Sequence, residues 1–248
     1  MAATQLFLEI GPFGIQKSYF TSPLKLGTPR TADGRQKIVL MMASAGVLKG
    51  DAFAYHIHCH KGADALITEQ SYTKLFDMGG GSAKKTQHIV LDEDASLFYC
   101  PQAAVPFAGS SFDSAIDVDV RESSRLLYTD IVTAGRVGMG ERFSFRHYHS
   151  RVCVRLDGKP VWIDNCILEP GRMDMGNMVL FDGYTHMGTL YYYGKDTEKK
   201  EEQLVALCSE FCQNMAAGVS KPLKGVCLRV LAYSAQDIEE FFAKCMEC

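Results

Sequence analysis

The chain has 248 residues, 47% hydrophobic and 22% charged, a composition that excludes global disorder and lets one domain, residues 1–248, bury a core without disulfide staples. Lys plus Arg number 26 against 29 Asp plus Glu, a formal net charge of −3, so the basic footprint of a duplex nucleic-acid binder is missing. No apolar run reaches the roughly 18 residues of a membrane span, and the first ten residues lack the basic and apolar regions of a secretory leader, which points to a cytoplasmic protein with no membrane partner.

Up to about residue 195 the chain reads as short strands. Segments 38–42, 55–59, 65–68, 88–91, 96–99, 116–120, 125–133, 143–145, 151–156, 161–168, 178–181 and 189–193 are rich in β-branched or aromatic residues and fenced by Gly, Pro, Asp or Ser. Asp157-Gly158 has the chemistry of a type I′ hairpin turn. Helical period begins after the charged run 195–202: Leu204, Leu207, Cys208, Phe211 and Met215 recur every three or four residues, with Gly218 as the stop. A strand is expected within 221–231. Ser234 and Asp237 then resemble a capping box ahead of a stripe formed by Ile238, Phe241, Phe242 and Cys245. The expected fold is mostly β, many short strands followed by two C-terminal helices. No repeat of fixed period is visible, and residues 78–83, with three consecutive glycines, form the best candidate for a flexible loop.

Several motifs suggest chemistry. The glycines before Lys84, Lys85 and Thr86 invite a phosphate-loop reading, but a P-loop needs Gly immediately before its Lys and a helix after it; here Lys84 stands in that place and a strand follows. His56, His58 and His60 alternate on one strand, so all three imidazoles share a face. Two of them could chelate nickel or zinc, whereas three in a line suit a solvated strand face. His147 and His149 repeat the spacing. Cys245 and Cys248 have the spacing of half a zinc site but sit at the chain end, where a frayed tail is expected. The nine cysteines, set mostly in apolar runs, read as reduced thiols acting as small hydrophobes.

The most informative feature is acid inside apolar strands. By parity Asp130 shares a face with Leu126, Tyr128 and Val132, and Asp164 with Trp162 and Cys166. A buried carboxylate is costly unless it is paired, hydrogen-bonded or wetted. An ion pair with a core arginine, Arg136 being the obvious partner, would satisfy it; so would a general acid/base pair or a polar channel for a cation. Asp51 ends a turn punctuated by Gly46 and Gly50, Glu141 ends another that contains Arg136, and residues 181–186 form a third loop with a polar tip.

In order along the chain, residues 44–51 (Ser-Ala-Gly-Val-Leu-Lys-Gly-Asp), 66–74 (Leu-Ile-Thr-Glu-Gln-Ser-Tyr-Thr-Lys), Pro101 to Phe107, 124–130 with Gly135-Arg136 and Gly140-Glu141, Asp164-Asn165 with Leu168, and 181–186 (Phe-Asp-Gly-Tyr-Thr-His) resemble the urease accessory proteins of the UreD/UreH family. The last two stretches look closest to its epsilonproteobacterial UreH branch. The resemblance covers roughly residues 20–190. It implies a right-handed helicoidal stack of strands with two helices, and a role as a scaffold rather than an enzyme. A scaffold of this kind binds a helical accessory protein (UreF-type) and, through it, a nickel-carrying GTPase (UreG-type), docks on apo-urease and passes Ni²⁺ through an internal polar tunnel. No cofactor would be permanently bound, and Ni²⁺ would be held transiently. Carried over by position, the residues along the metal path are Asp51, Thr68, Asp130, Glu141 and Asp164, with Arg136 orienting a carboxylate. Tyr184 and His186, on the 181–187 loop, and the C-terminal helices are the expected partner-docking elements. Lys49 departs from the commoner bacterial pattern, which has Gly there, and the His56–His58–His60 strand lies outside the family pattern. Two other readings stay open: a hydrolase, acting for example on a glycan, with Asp130 and Asp164 or Glu141 as its acid pair, and a metal-binding protein that uses the histidines.

Overall fold

A computed structural model describes residues 3–29, 34–211 and 214–247. The strands are β1 (Thr4–Gly11), β2 (Gly14–Phe20), β3 (Leu24–Gly27), β4 (Gln36–Met42), β5 (Ala52–Cys59), β6 (Asp64–Glu69), β7 (Thr73–Leu75), β8 (Ala83–Leu91), β9 (Ser96–Cys100), β10 (Ala104–Pro106), β11 (Ser111–Val120), β12 (Arg125–Thr133), β13 (His147–Leu156), β14 (Lys159–Leu168) and β15 (His186–Tyr193). Helix α1 (Thr197–Phe211), β16 (Met215–Ser220), β17 (Val226–Ala232) and α2 (Ala235–Glu247) complete the chain.

From β4 to β13 the main strands fall alternately into two sheets. The seven-stranded sheet has the order β14-β13-β11-β8-β5-β1-β2. The path of the ten-stranded sheet is β16-β17-β15-β12-β9-β6-β4-β3, with β7 and β10 attached beside β12. Stacked strands in the middle of both sheets run parallel, as in β5 on β8 on β11 on β13 and β4 on β6 on β9 on β12. Each strand pair is therefore one rung of a solenoid-like stack. Antiparallel pairs close the ends, β1 on β2 and β13 on β14 in one sheet, β3 on β4 and β12 on β15 on β17 on β16 in the other. The β13–β14 turn has Asp157 at φ 49° and Gly158 at φ 77°, the two left-handed conformations a type I′ turn requires.

Alternation decides what each sheet buries. Phe53, Tyr55, Ile57 and Cys59 of β5, and Ile116, Val118 and Val120 of β11, point into the core between the sheets. Leu126, Tyr128 and Val132 of β12 join them, while Leu127 and Ile131 point the other way into a second apolar layer beneath the helices. Helix α2 lies on that layer with Ile238, Phe241, Phe242 and Cys245 buried, and the Ser234 hydroxyl accepts the Gln236 N–H at 3.1 Å at its start. Cys245 is thus part of a packed helix rather than of a frayed tail; Cys248 lies outside the described residues. Cys59, Cys153, Cys166 and Cys227 are unpaired thiols.

Three expectations are corrected. Residues 143–145 are irregular chain with a bend at Phe143, and 178–181 are turns; neither is a strand. Phe143 has φ 51° and packs edge-on against Phe181 at 4.8 Å, and the Asp174 and Asn177 side chains accept the N–H groups of Gly176 and Val179, which turns the chain locally. The helical pattern stops at Phe211: Met215 and Gly218 belong to β16, paired along its length with β17. The glycine segment before β8 is a loop, with Met78 buried, the Ser82 carbonyl accepting from Gly50 and the Gly81 carbonyl from Arg146.

Gly188 of β15 shows how closely α2 is seated. A Cβ at this position would meet Ile238 Cγ2 at 2.6 Å and Phe242 Cζ at 2.9 Å. Overpacking a fitted interface costs about 1–3 kcal/mol, so Gly188→Ala is expected to lower stability by about that amount in urea unfolding, with an unchanged m-value.

Candidate functional site

The parity that turns apolar side chains inward also turns polar ones inward, and these meet across the two sheets. Lys85 of β8 lies on the face of Ile89 and Leu91, and its Nζ donates to Glu69 Oε1 of β6 at 3.0 Å. Tyr99 of β9 donates its hydroxyl to Gln87 Oε1 of β8. Ser150 of β13 donates to Asp130 Oδ2 of β12 at 3.0 Å. Arg229 of β17 donates to Asp164 Oδ1 of β14 at 2.8 Å. Asp130, Thr189 and Arg229 are direct neighbours in register on β12, β15 and β17. Four polar contacts, two of them from β8, thus join the sheets and form a seam through the apolar core.

The ends of the seam differ. Around Glu69 and Lys85 there is a cavity of about 210 Å³, bordered by Tyr55, Thr73 and the turn at Ser44 to Val47. Thr73 Oγ1 also donates to Glu69. Gly46 is required in that turn, because a Cβ there would lie 2.5 Å from the Lys74 carbonyl oxygen. Around Asp130 and Asp164, with Ser150, Cys166, Thr189 and Arg229, the void measures only about 10 Å³, the space of about one water.

The charges follow this geometry. Burial works against the Lys85 ammonium, but Glu69 and the Tyr99 and Tyr55 hydroxyls outweigh it and hold the group above the usual lysine range. Burial pushes the Asp130 carboxyl up; the Ser150 hydrogen bond opposes the shift and the Asp164 charge adds to it. Burial also pushes the Cys166 thiol up to about 12, so it faces the void protonated rather than as a metal-trapping thiolate.

The residues singled out from the sequence divide into groups. Asp130 and Asp164 come together in the seam as parity requires. The arginine beside them is Arg229, not Arg136, which instead holds Glu141. Arg136 donates to Glu141 Oε2, at 3.1 Å from Nε and 2.5 Å from Nη2, and the Ala108 N–H donates to Oε1 at 2.8 Å. That Arg136 hydrogen bond, more than the opposing effect of burial, holds the Glu141 carboxyl below its usual range. Asp51 closes its own turn by accepting the Leu48 N–H at 2.8 Å. Thr68 lies on the other face of β6, bordering a cleft beneath α2 with Leu66 and Phe242. His186 is buried at the start of β15 with its Nδ1 2.8 Å from Thr185 Oγ1; burial lowers its pKa, and it offers no surface to a partner. Tyr184 packs against the exposed Tyr233 at 4.7 Å.

On the outer face of the seven-stranded sheet, His58 Nε2 is 3.0 Å from Asp92 Oδ1 and His60 Nδ1 is 3.5 Å from Asp92 Oδ2. His56 does not join them: it stacks on Phe7 at 5.2 Å and lies beside His88. Glu69, Lys85 and Arg229 were missed from the sequence, although the parity argument that finds Asp130 places each of them on an inward face.

An acid pair enclosed in a void the size of one water cannot admit a sugar ring, so Asp130 and Asp164 do not form a glycosidase cleft. The fold and seam define a β-solenoid-like protein with charged groups threaded through its core, and no helix among the described residues is long and apolar enough to cross a membrane. A family model for the UreD urease accessory protein matches residues 9–248. Among similar proteins, urease accessory protein UreH of Helicobacter pylori strain P12 is 38% identical over 186 residues, covering 73% of this chain and 70% of that protein. Urease accessory protein UreH of Helicobacter hepaticus is 33% identical over 228 residues, 92% and 88% of the two chains. Urease accessory protein UreD of Acetivibrio thermocellus is 32% identical over 228 residues, 91% and 87%. The chain belongs to the UreD family of urease accessory proteins.

The raised Asp130 pKa has a consequence for stability. The folded state holds the neutral acid more readily than the unfolded chain does, so the contribution is favourable below the unfolded pKa near 4 and is lost as pH rises through the folded value. Asp130→Asn keeps a neutral acceptor for Ser150. It is expected to raise the melting temperature relative to the native chain more at pH 7 than at pH 4; equal shifts at both pH values would mean that ionisation of Asp130 carries no penalty.

Proposed function

We propose that this protein is a urease maturation factor. It acts as a scaffold that binds the helical accessory protein and, through it, the nickel-carrying GTPase, docks on apo-urease and conducts Ni²⁺ toward the urease active site. The family supports the urease role. The observation that carries the conduit is the inter-sheet seam, where Glu69 of β6 is followed by Tyr99 of β9 with Gln87 of β8, and then by Asp130 of β12 and Asp164 of β14.

The donor set suits passage better than storage. A conduit must replace part of the ion's hydration shell without holding the ion. Carboxylate, hydroxyl and water oxygens are weaker ligands for Ni²⁺ than imidazole or thiolate, and Cys166, the thiol at the void, stays protonated. At the Asp164–Arg229 pair the seam is closed, with a 2.8 Å hydrogen bond and a void of about 10 Å³. Passage therefore requires Arg229 to release Asp164. An arriving dication favours that release, because it repels the guanidinium and competes for the same carboxylate oxygen.

The test is co-expression with apo-urease, the helical accessory protein and the GTPase. Asp130→Asn is expected to co-purify with both partners at native yield and Glu69→Gln at lower yield, since it unpairs the buried Lys85, while with both variants urease nickel content and activity per recovered complex fall several-fold. Full activation by both variants overturns the conduit; failure of the native chain to co-purify with the accessory proteins overturns the scaffold.

A further inference from the structure

The outer face of the seven-stranded sheet carries a second constellation, remote in chemistry from the oxygen-lined seam. His147 and His149 lie two residues apart on β13, so both imidazoles emerge on one face. Asp113 is the direct neighbour of His149 on β11. One oxygen, Asp113 Oδ1, lies 3.2 Å from His147 Nε2 and 3.3 Å from His149 Nδ1. All three ligand atoms lie within 4.8 Å of one another.

The far nitrogens of both rings are anchored. His147 Nδ1 is 3.2 Å from Glu169 Oε1, and His149 Nε2 is 2.8 Å from Asn165 Oδ1. Each ring thus lies between two oxygen acceptors, and a proton on the outer nitrogen leaves the inner nitrogen free to ligate. In that tautomer the two inner lone pairs converge with Asp113 Oδ1 on one point, the disposition a bound dication would bridge. Second acceptors of this kind orient metal-bound imidazoles and raise their basicity. The spacing fits as well: bonds of about 2.0–2.1 Å in a tetrahedron place ligand atoms roughly 3.3–3.4 Å apart. An open cleft of about 660 Å³, lined by Ser111, His147, Glu169 and Arg172, gives access from solvent.

We propose that Asp113, His147 and His149 form a binding site for a first-row transition-metal dication such as Zn²⁺ or Ni²⁺, with Glu169 and Asn165 as positioning residues. Two imidazoles and one carboxylate are a borderline donor set that prefers such ions to Mg²⁺ or Ca²⁺. Three protein ligands leave a coordination position open to water or to a group from a partner. The His58–His60–Asp92 cluster is less focused, since Asp92 meets the two rings with different oxygens at 3.0 and 3.5 Å.

The experiment uses the untagged full chain carrying His58→Ala and His60→Ala, which silences the other cluster, and titrates Zn²⁺, Ni²⁺ and Co²⁺ by calorimetry and absorption. One equivalent is expected to bind, and Co²⁺ is expected to give the intense d–d bands of a low-coordinate site. Adding His147→Ala with His149→Ala is expected to abolish that equivalent, and Glu169→Gln is expected to weaken it about 10- to 100-fold with an unchanged circular dichroism spectrum. Binding unaltered by the His147/His149 substitutions, or no stoichiometric binding before them, overturns the site. Because the readout is metal binding by this chain alone, it stands or falls separately from urease activation.

Discussion

A charge placed between two packed sheets must find its partner on the opposite sheet, and this constraint organises the molecule. Removing an unpaired ion from water costs several kcal/mol even after relaxation, so each inward polar residue fixes the distance and register of the strand across from it. Lys85 with Glu69, Ser150 with Asp130 and Arg229 with Asp164 each link β-strands far apart in sequence. The apolar core would tolerate small slips between the sheets; the polar contacts would not. Specificity of stacking and the inward polar seam therefore come from the same residues.

The two faces of the seven-stranded sheet use one structural rule for opposite chemistry. Inward positions of β8, β13 and β14 carry Lys85, Ser150 and Asp164, while outward positions carry His88, His149 and Asn165. On the inner side carboxylates meet hydroxyl and guanidinium donors; on the outer side they meet imidazoles. A single-residue shift of strand register would exchange these environments, and the inter-sheet ion pairs guard against that shift.

Local pattern made much of this visible in the sequence. Clean alternation located β5, β11 and β12, and the greasy neighbours of Asp130 and Asp164 identified both as inward acids. The Asp157-Gly158 turn was readable because a hairpin turn is a short-range signal. The stacking itself was not. In register, His56 sits beside His88, His88 beside Asp117 and Asp117 beside Cys153, steps of 32, 29 and 36 residues; unequal rungs leave no fixed period to detect. Partners across the core are equally hidden. Arg136 seemed the natural counter-ion for a nearby acid, yet Arg229, 65 residues from Asp164, supplies it. Lys85 was obscured by Lys84, since two adjacent lysines resemble a solvated pair until parity is applied to each one separately.

Among the seam acids, Asp130 carries the argument about ion movement furthest. Glu69 has Lys85 at 3.0 Å and Asp164 has Arg229 at 2.8 Å, whereas the hydrogen bond to Asp130 comes from the neutral Ser150 hydroxyl. Its carboxyl is accordingly the one pushed toward the protonated state, by burial and by the Asp164 charge. A dication reaching it would restore the ionised form by supplying the missing charge, and the proton displaced would leave as the ion arrives. Departure of the ion would reverse the exchange. A carboxyl exchanging proton for metal in this way would give the ion a foothold without a deep energy well, because the returning proton would compete for the site that the metal vacates.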